Sequence, residues 1–382
     1  MPPAPLPLAM LGQAFMGRAH SNAFRQVGPA FAPARGLRLK TVAGRDAKAL
    51  AAFAARYGFE GWTADWREVA RDPEIELVDV ATPNDLHREM SVAMLEAGKH
   101  VLCEKPLAGT LEDARAMRDA AAKADAKTFV WFNYRRCPAI ALARTLVREG
   151  RLGAIRHVRA RYLQSWGGPD TPLLWRFDRD RAGSGAHGDL NAHLVDLARF
   201  LTGEEVTRVH GAVAETFVKQ RKDPATGKLG ESTVDDCVLF LASFEGGATA
   251  SFEATRLATG HHNGNVIELN GERGSVRFEL EDMNVLWFFD GADAPREAGW
   301  RRVLATSPEH HPYVDAWWPD GHIIGYEHTF TNQVADVLRV LAGERPLQPL
   351  ADFADAYETQ RVLEAALISA REGCAVNLAD VG

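Results

Sequence analysis

The alternation of short apolar runs with helix-patterned segments through residues 1–137 constrains the fold more than any other feature. Leu8 to Leu11, Leu37 to Val42, Glu76 to Ala81, Val101 to Cys103 and Phe129 to Asn133 are strand-sized, and each runs into a polar or glycine-containing turn. Between them lie stretches of helical period with end signals. Ala47 to Tyr57 closes at Gly58, and Thr110-Leu111-Glu112-Asp113 opens a helix with an acidic first turn. Parallel strands need crossovers of this kind, so the expected fold is α/β, a doubly wound parallel sheet. Ligands of such sheets bind outside the carboxyl ends of the strands, which makes the polar residues there the first candidates for function.

The first apolar run leads into Gly12-Gln13-Ala14-Phe15-Met16-Gly17, a near-complete dinucleotide fingerprint at the start of a helix expected through Phe24. Gly12 suits the tight turn and Gly17 the close packing of helix on strand. Backbone donors at the helix start would face a pyrophosphate. Ala14 replaces the middle glycine and narrows the approach of the phosphates without forbidding it. The second strand ends at Ala43-Gly44-Arg45-Asp46. An acid there would favour NAD, whereas a small residue followed by arginine accommodates a 2′-phosphate, so Gly44 and Arg45 tilt toward NADP and Asp46 blurs the choice. Arg45 equally suits an ordinary solvated loop. The third turn presents Thr82-Pro83-Asn84 and His87, where Asn84 also suits a helix cap. His100 to Leu107 ends a buried strand in Glu104-Lys105-Pro106, and Pro106 cannot continue a ladder, so Lys105 stands at a strand's carboxyl end. Taken alone, this tripeptide fits a surface ion pair as well as a reactive corner. The last strand of this half delivers Asn133, Tyr134, Arg135 and Arg136 to the same edge.

From residue 138 the pattern changes to strands joined by hairpin turns, which predicts a second, α+β domain (138–382) with a large, mainly antiparallel sheet. Its C-terminal helices are expected to pack back on the first domain (1–137). The strands alternate, as in Val234, Cys237 and Leu239, and a half-polar sheet face predicts a homo-oligomer, a dimer or tetramer. Between two of these strands, a glycine-rich stretch (183–188) precedes a helix expected from Asp189. Asp189, His193 and Asp196 fall three and four apart and share a face. Asp189 and His193 could form a self-satisfied carboxylate–imidazole pair. The glycines, however, would let a substrate approach the first turn.

The formal net charge is −7 with no basic run, which argues against nucleic acid or anionic membrane as partner. No apolar run reaches about 18 residues and the amino terminus lacks a leader pattern, so a soluble, cytoplasmic protein is expected. Cys103, Cys137, Cys237 and Cys374 are too dispersed for a zinc site and read as reduced thiols. The pairs His261-His262 and His310-His311 read as loop residues, and no metal is expected.

Together these motifs resemble the Gfo/Idh/MocA oxidoreductases, NAD(P)-dependent enzymes with a Rossmann domain followed by an antiparallel-sheet domain. The resemblance spans nearly the whole chain and rests on Gly12 to Gly17, Thr82-Pro83-Asn84 with His87, Glu104-Lys105-Pro106, Asn133 with Arg135, and Asp189 with His193. Within the family it is to levoglucosan dehydrogenase-type members, through residues 15–21, Asn133 to Arg136, Trp175-Arg176-Phe177, Ser184-Gly185-Ala186 and Ile324-Gly325-Tyr326. It implies hydride transfer between a nicotinamide (NAD or NADP) and a secondary alcohol of a sugar or polyol. The implied cofactor residues are Gly12, Ala14, Phe15, Met16, Gly17, Gly44, Arg45, Thr82, Pro83, Asn84, His87, Glu104, Lys105, Asn133 and Arg135. His193 is implied as general acid/base, Lys105 as the hydrogen-bond donor to the reacting oxygen, and Asp189 as the residue that orients Lys105 or binds a neighbouring hydroxyl. Asn133, Tyr162, Arg176 and Tyr326 are further substrate candidates. Tyr162 and Trp166 equally suit core or interface aromatics. The rival readings are an inositol or other cyclitol dehydrogenase and a non-catalytic dinucleotide-binding sensor.

Overall fold

The computed structural model describes residues 3–382. In chain order the elements of the first part are β1 (Leu6–Leu11), α1 (Phe15–Phe31), β2 (Leu37–Ala43), α2 (Ala47–Tyr57), β3 (Gly61–Thr63), α3 (Arg67–Arg71), β4 (Leu77–Val80), α4 (His87–Glu96), β5 (His100–Cys103), α5 (Leu111–Lys123) and β6 (Thr128–Val130). There follow α6 (Pro138–Arg148), β7 (Ile155–Leu163), α7 (Arg179–Ala182), α8 (Ala192–Thr202), β8 (Val206–Glu215), β9 (Gln220–Lys222), β10 (Leu229–Glu231), β11 (Cys237–Phe244) and β12 (Thr249–Thr255). The chain ends with β13 (Gly264–Gly271), β14 (Gly274–Glu279), β15 (Val285–Asp290), β16 (Arg301–Leu304), α9 (Tyr326–Leu341), α10 (Phe353–Glu372) and β17 (Val376–Asn377). The chain divides into two compact units, residues 1–136 with 315–318 and 324–357, and residues 137–314 with 319–323 and 358–382.

The first unit holds a six-stranded parallel sheet in the order β3-β2-β1-β4-β5-β6. Its strands are short and apolar because helices cover both faces. Leu8, Met10, Leu77, Leu102 and Phe129 share a core with Phe24 and Val27 of α1 and with Phe330 and Val334 of α9. The strand order reverses between β1 and β4, so the loops after these two strands border the crevice where doubly wound sheets take their ligands. Helix ends follow local chemistry. Asp46 accepts from the Ala49 amide to cap α2, Thr110 accepts from Asp113 to cap α5, and Gly58 closes α2 at φ +81°. α1 runs to Phe31 rather than Phe24, carrying Pro29 in its last turn and ending at Ala32 in the left-handed region.

The second unit is built on a nine-stranded sheet, β16-β15-β14-β13-β7-β12-β11-β8-β17, in which only the β7–β12 pair is parallel. Period-two alternation gives it two unlike faces. Val158, Ala160, Tyr162, Phe240 and Phe252 are buried, and α8 packs against β7 and β13. The other face carries Val213, Leu239 and Leu241, all exposed, among Arg159, Arg161, Glu253, Glu268 and Arg277. β11 begins at Cys237, not Val234, because the Asp235 carboxylate accepts from the Gly185 and His187 amides and the Asp236 carboxylate from the Val218 amide and Arg221. No helix among the described residues is long and apolar enough to cross a membrane. All four cysteines are unpaired.

Candidate functional site

In the first unit, Gly12 follows β1 at φ +111°, and a Cβ there would lie 2.4 Å from the Ala81 carbonyl oxygen after β4. A Cβ on Gly17 would stand 2.5 Å from the Gly12 oxygen, so α1 seats directly on the loop. Gly12 therefore needs glycine for turn geometry and for packing, and Gly17 for packing. Ala14 occupies the N-cap of α1 without a side-chain cap, leaving first-turn amides without that partner, and Phe15 is exposed just beyond it with Met16 half-buried. Uncapped amides at the carboxyl edge of β1 fit a pyrophosphate. The buried Gln13 Oε1 has no hydrogen-bond partner and lies 3.2 Å from the point a Gly44 Cβ would occupy, a further polar group at this edge. Gly44 directly follows β2 and donates to the Thr63 carbonyl at 3.2 Å. Asp46 is committed to the α2 cap while Arg45 is exposed, so the acidic residue that blurred the cofactor choice has another task.

The remaining first-unit candidates sort by burial. His87 is fully buried, with Nδ1 3.2 Å from the Pro106 and Leu107 carbonyls and Nε2 3.0 Å from the Thr82 carbonyl. Burial keeps it neutral by pushing its pKa down, in spite of those carbonyls, and its role is to staple the Thr82 loop to the Lys105 corner. Thr82, Pro83 and Asn84 form the intervening turn. A short 3-10 turn over Asn84–Leu86 precedes α4, whose N-cap position is Leu86. Asn133 Nδ2 donates to Thr329 Oγ1 at 2.8 Å, and Arg135 pairs with Asp355 at 2.6 Å. Arg136 is buried against Asp336 at 3.0 Å. Tyr326 opens α9 half-buried, its ring 5.0 Å from Phe330.

Lys105 itself is half-buried at the end of β5, and the Lys105–Pro106 bond is cis. Its backbone amide donates to Glu104 Oε2 at 2.9 Å, and the other Glu104 oxygen lies 3.1 Å from His20 Nε2. His20 Nδ1 lies 2.9 Å from Asp79 Oδ2, and Asp79 Oδ1 accepts from Trp131 Nε1 at 2.8 Å. Sequence reasoning named Glu104 but missed His20, Asp79 and Trp131. The available signal was a histidine one turn inside the fingerprint helix, without any indication of its partners.

In the second unit, residues His187–Asn191 form one widened π turn that leads into α8, so Asp189 and His193 sit about one such turn apart. His193 is buried and its ring centre is 5.9 Å from that of Tyr162, whose hydroxyl donates to Asn263 Oδ1 at 2.6 Å. Gln164 donates to the same oxygen at 2.8 Å. Asp189 Oδ2 accepts from the buried Arg256 at 2.9 Å. Arg256 lies over the Trp166 ring at 4.8 Å and donates to the Arg176 carbonyl at 3.4 Å, with the Arg176 side chain stacked on Trp175. Within the glycine-rich entry, Gly185 is required by packing. A Cβ on Gly185 would overlap the Asp235 carbonyl oxygen at 1.8 Å, and the Asp235 carboxylate accepts from the amides of Gly185 and His187, each at 2.8 Å. Arg256 and Asp235 are thus the determinants that sequence reasoning missed here. Of the adjacent histidine pairs, His311 lies in a loop, as expected, but is fully buried, its ring 5.2 Å from that of Tyr313.

Comparison with known proteins places residues 6–132 in an oxidoreductase family with an NAD-binding Rossmann fold, and residues 140–277 in the GFO/IDH/MocA C-terminal domain. Levoglucosan dehydrogenase of Pseudarthrobacter phenanthrenivorans is 40% identical over 380 residues, 96% of each chain. An oxidoreductase domain protein from Kribbella flavida superposes with a TM-score of 0.94 at 48% identity, covering 98% of this chain and 100% of its own. A levoglucosan dehydrogenase solved with NADH and L-sorbose gives 0.93 at 38% identity, covering 98% and 99%.

Proposed function

The chain belongs to the Gfo/Idh/MocA family of oxidoreductases, and we propose on that premise that it oxidises a secondary alcohol of a sugar, an anhydrosugar of the levoglucosan type first among them. That it is a nicotinamide-dependent oxidoreductase acting on CH–OH groups follows from its relatives, which are dehydrogenases along their full length. This removes the reason to read it as a non-catalytic sensor. The observation that carries the substrate reading is the uncharged, hydrogen-bonded set of Tyr162, Gln164 and Asn263, of which the Tyr162 ring lies 5.9 Å from that of His193; it suits the hydroxyls of a neutral polyol better than a phosphate or carboxylate. An inositol ring presents the same hydroxyl chemistry and is the second reading.

Bound dinucleotide, NAD or NADP, supplies the hydride acceptor. Gly12, Gly17 and the uncapped start of α1 would hold its pyrophosphate, and Gly44 and Arg45 would meet its ribose. His193 takes the proton from the reacting hydroxyl, since an imidazole titrates near neutral pH. Lys105 donates to the same oxygen and stabilises the negative charge that develops there. Asp189, fixed by Arg256, orients a sugar hydroxyl. Tyr162, Arg176, Asn133 and Tyr326 complete the substrate contacts. The protein acts as a cytoplasmic homo-oligomer, the exposed apolar sheet face covered by a second copy.

The test is reduced-nicotinamide absorbance at neutral to alkaline pH with levoglucosan, free sugars and inositols as substrates. Turnover is expected on anhydrosugar, with Lys105→Ala and His193→Ala each lowering kcat by about 10²–10⁴-fold while dinucleotide binding survives. Near-normal turnover in either variant would overturn the assignment of roles, and turnover confined to inositols would overturn the substrate.

A further inference from the structure

We propose that His20 is a positioning residue for Lys105, acting through Glu104 as the centre of a buried carboxylate–imidazolium–carboxylate chain. The inference rests on the reading of Lys105 as the residue that meets the reacting oxygen.

The chain runs across four segments of the first unit. Trp131 Nε1, just beyond β6, donates to Asp79 Oδ1 on β4 at 2.8 Å. Asp79 Oδ2 faces His20 Nδ1 on α1 at 2.9 Å. His20 Nε2 faces Glu104 Oε1 at 3.1 Å, and Glu104 Oε2 accepts from the Lys105 amide at 2.9 Å. His20 and Asp79 have no exposed surface, and the His20 ring stacks on the Trp131 indole at 4.0 Å and 19°. Phe24 of its own helix and Phe330 of α9 close the remaining sides, at 6.5 and 5.6 Å. The charged groups facing His20 are therefore Asp79 and Glu104, one on each nitrogen.

A neutral imidazole carries one N–H and can satisfy only one of those carboxylates, and the other oxygen would then face a lone pair in a buried site. Both contacts are made together only by the imidazolium. Burial disfavours that charge, but the charge and hydrogen bond of Asp79 and then of Glu104 outweigh it, raising the His20 pKa from its ordinary 6.5 to about 9. Through the neutral range both Glu104 oxygens are thus committed, one to His20 and one to the backbone that presents Lys105. A carboxylate fixed at both oxygens fixes the corner. When His20 loses its proton at alkaline pH, its one remaining N–H stays with Asp79, the stronger partner, and Glu104 Oε1 then faces a lone pair, so the acceptor of the Lys105 amide is no longer fixed.

The experiment compares His20→Gln, Glu104→Gln and the double variant with wild type and a Lys105→Ala control, measuring kcat, KM, dinucleotide affinity and the pH profile of kcat. Loss of alignment at a reacting group costs about 100-fold, so His20→Gln should lower kcat by about that factor and leave KM and dinucleotide affinity within about threefold. The double variant should be no slower than the slower single variant. Effects of the two single variants that multiply in the double, or a His20→Gln kcat within about twofold of wild type, would overturn the proposal. The His20 ring is also titrated directly by NMR of the 13 histidines in wild-type protein with NAD bound, which depends neither on substrate nor on the folding of a variant. Its midpoint should fall near the alkaline inflection of kcat. A His20 that titrates near its ordinary value would overturn the proposal. If Lys105→Ala turns over normally, the reading of Lys105 has failed, and the NMR titration separately decides whether the buried imidazolium exists.

Discussion

Replacing Gly44 with aspartate should convert the dinucleotide site into one that prefers NAD strongly. The backbone at Gly44 directly follows β2, where doubly wound folds meet the adenosine ribose, and its conformation is open to any residue. A new Cβ would lie 3.1 Å from Leu50 Cδ2 and 3.2 Å from Gln13 Oε1, both ends of flexible side chains, so the strain is small and equal for either cofactor. A carboxylate about 5 Å from a 2′-phosphate of about two charges, at an effective dielectric of about 40, repels it by about 3 kcal/mol. The same carboxylate accepting from the 2′-hydroxyl of NAD contributes about 1.5 kcal/mol. After salt screening, the ratio of NAD to NADP affinity should rise by about 100-fold or more. Asp46 does not already exert this effect, because its side chain is held by the Ala49 amide. The assay is fluorescence or calorimetric titration with each dinucleotide, which needs no substrate. A ratio that moves less than about fivefold would place the ribose elsewhere, since a carboxylate beside a phosphate cannot be electrostatically silent.

Three further outcomes follow from burial and charge. The raised pKa of His20 means that its contribution to stability is complete below pH 6.5 and disappears as pH rises through about 9. Urea unfolding at pH 6 and pH 10 should lose about 3 kcal/mol more in wild type than in His20→Gln, and equal losses would refute the buried imidazolium. Asp336→Asn strands the buried Arg136, which otherwise has Asp336 at 3.0 Å and the Gln348 and Pro349 carbonyls each at 3.1 Å. It should destabilise the protein by about 3–5 kcal/mol, read from the unfolding midpoint, and a midpoint unchanged from wild type would show the pair to be dispensable. Leu239→Glu with Leu241→Glu places charge on the exposed sheet face and should shift the protein to monomer in light scattering. A wild type already monomeric at micromolar concentration would remove the need for that interface.

The parts of this fold that could be read from sequence are those governed by neighbours along the chain. Gly58 and Thr110 end and begin helices where their backbone and side-chain chemistry demands it. The carboxyl ends of β1, β2, β4 and β5 were legible because an apolar run stops at a glycine, a proline or a charge. α1 continues past the expected Phe24 to Phe31 with Pro29 in its last turn, although a Gly-Pro pair commonly marks a helix end. Gly185 has a packing requirement that its sequence neighbours do not show. Only the fold reveals that the Asp235 carbonyl occupies the space a side chain would need. Trp131 read as an ordinary strand residue, and its indole bond to Asp79 links positions 52 residues apart.

The two carboxylates nearest the proposed chemistry share a logic that no spacing rule could reveal. Glu104 is met by His20, 84 residues earlier, and Asp189 by Arg256, 67 residues later. In each case a buried cation from a distant segment fixes the acid. The acid's own position in a short motif therefore says which residue is present but not how it is aimed. Arg256 illustrates why the cation's identity matters. Its guanidinium reaches the Asp189 carboxylate and the Arg176 carbonyl while lying over the Trp166 ring, three tasks that a planar, multiply donating group performs together and a lysine ammonium does not. A motif such as Glu-Lys-Pro or Asp-x-x-x-His is thus half of a device. The other half is a cation held by the tertiary fold, and in this protein that half decides whether the motif is poised for chemistry or is merely a surface pair.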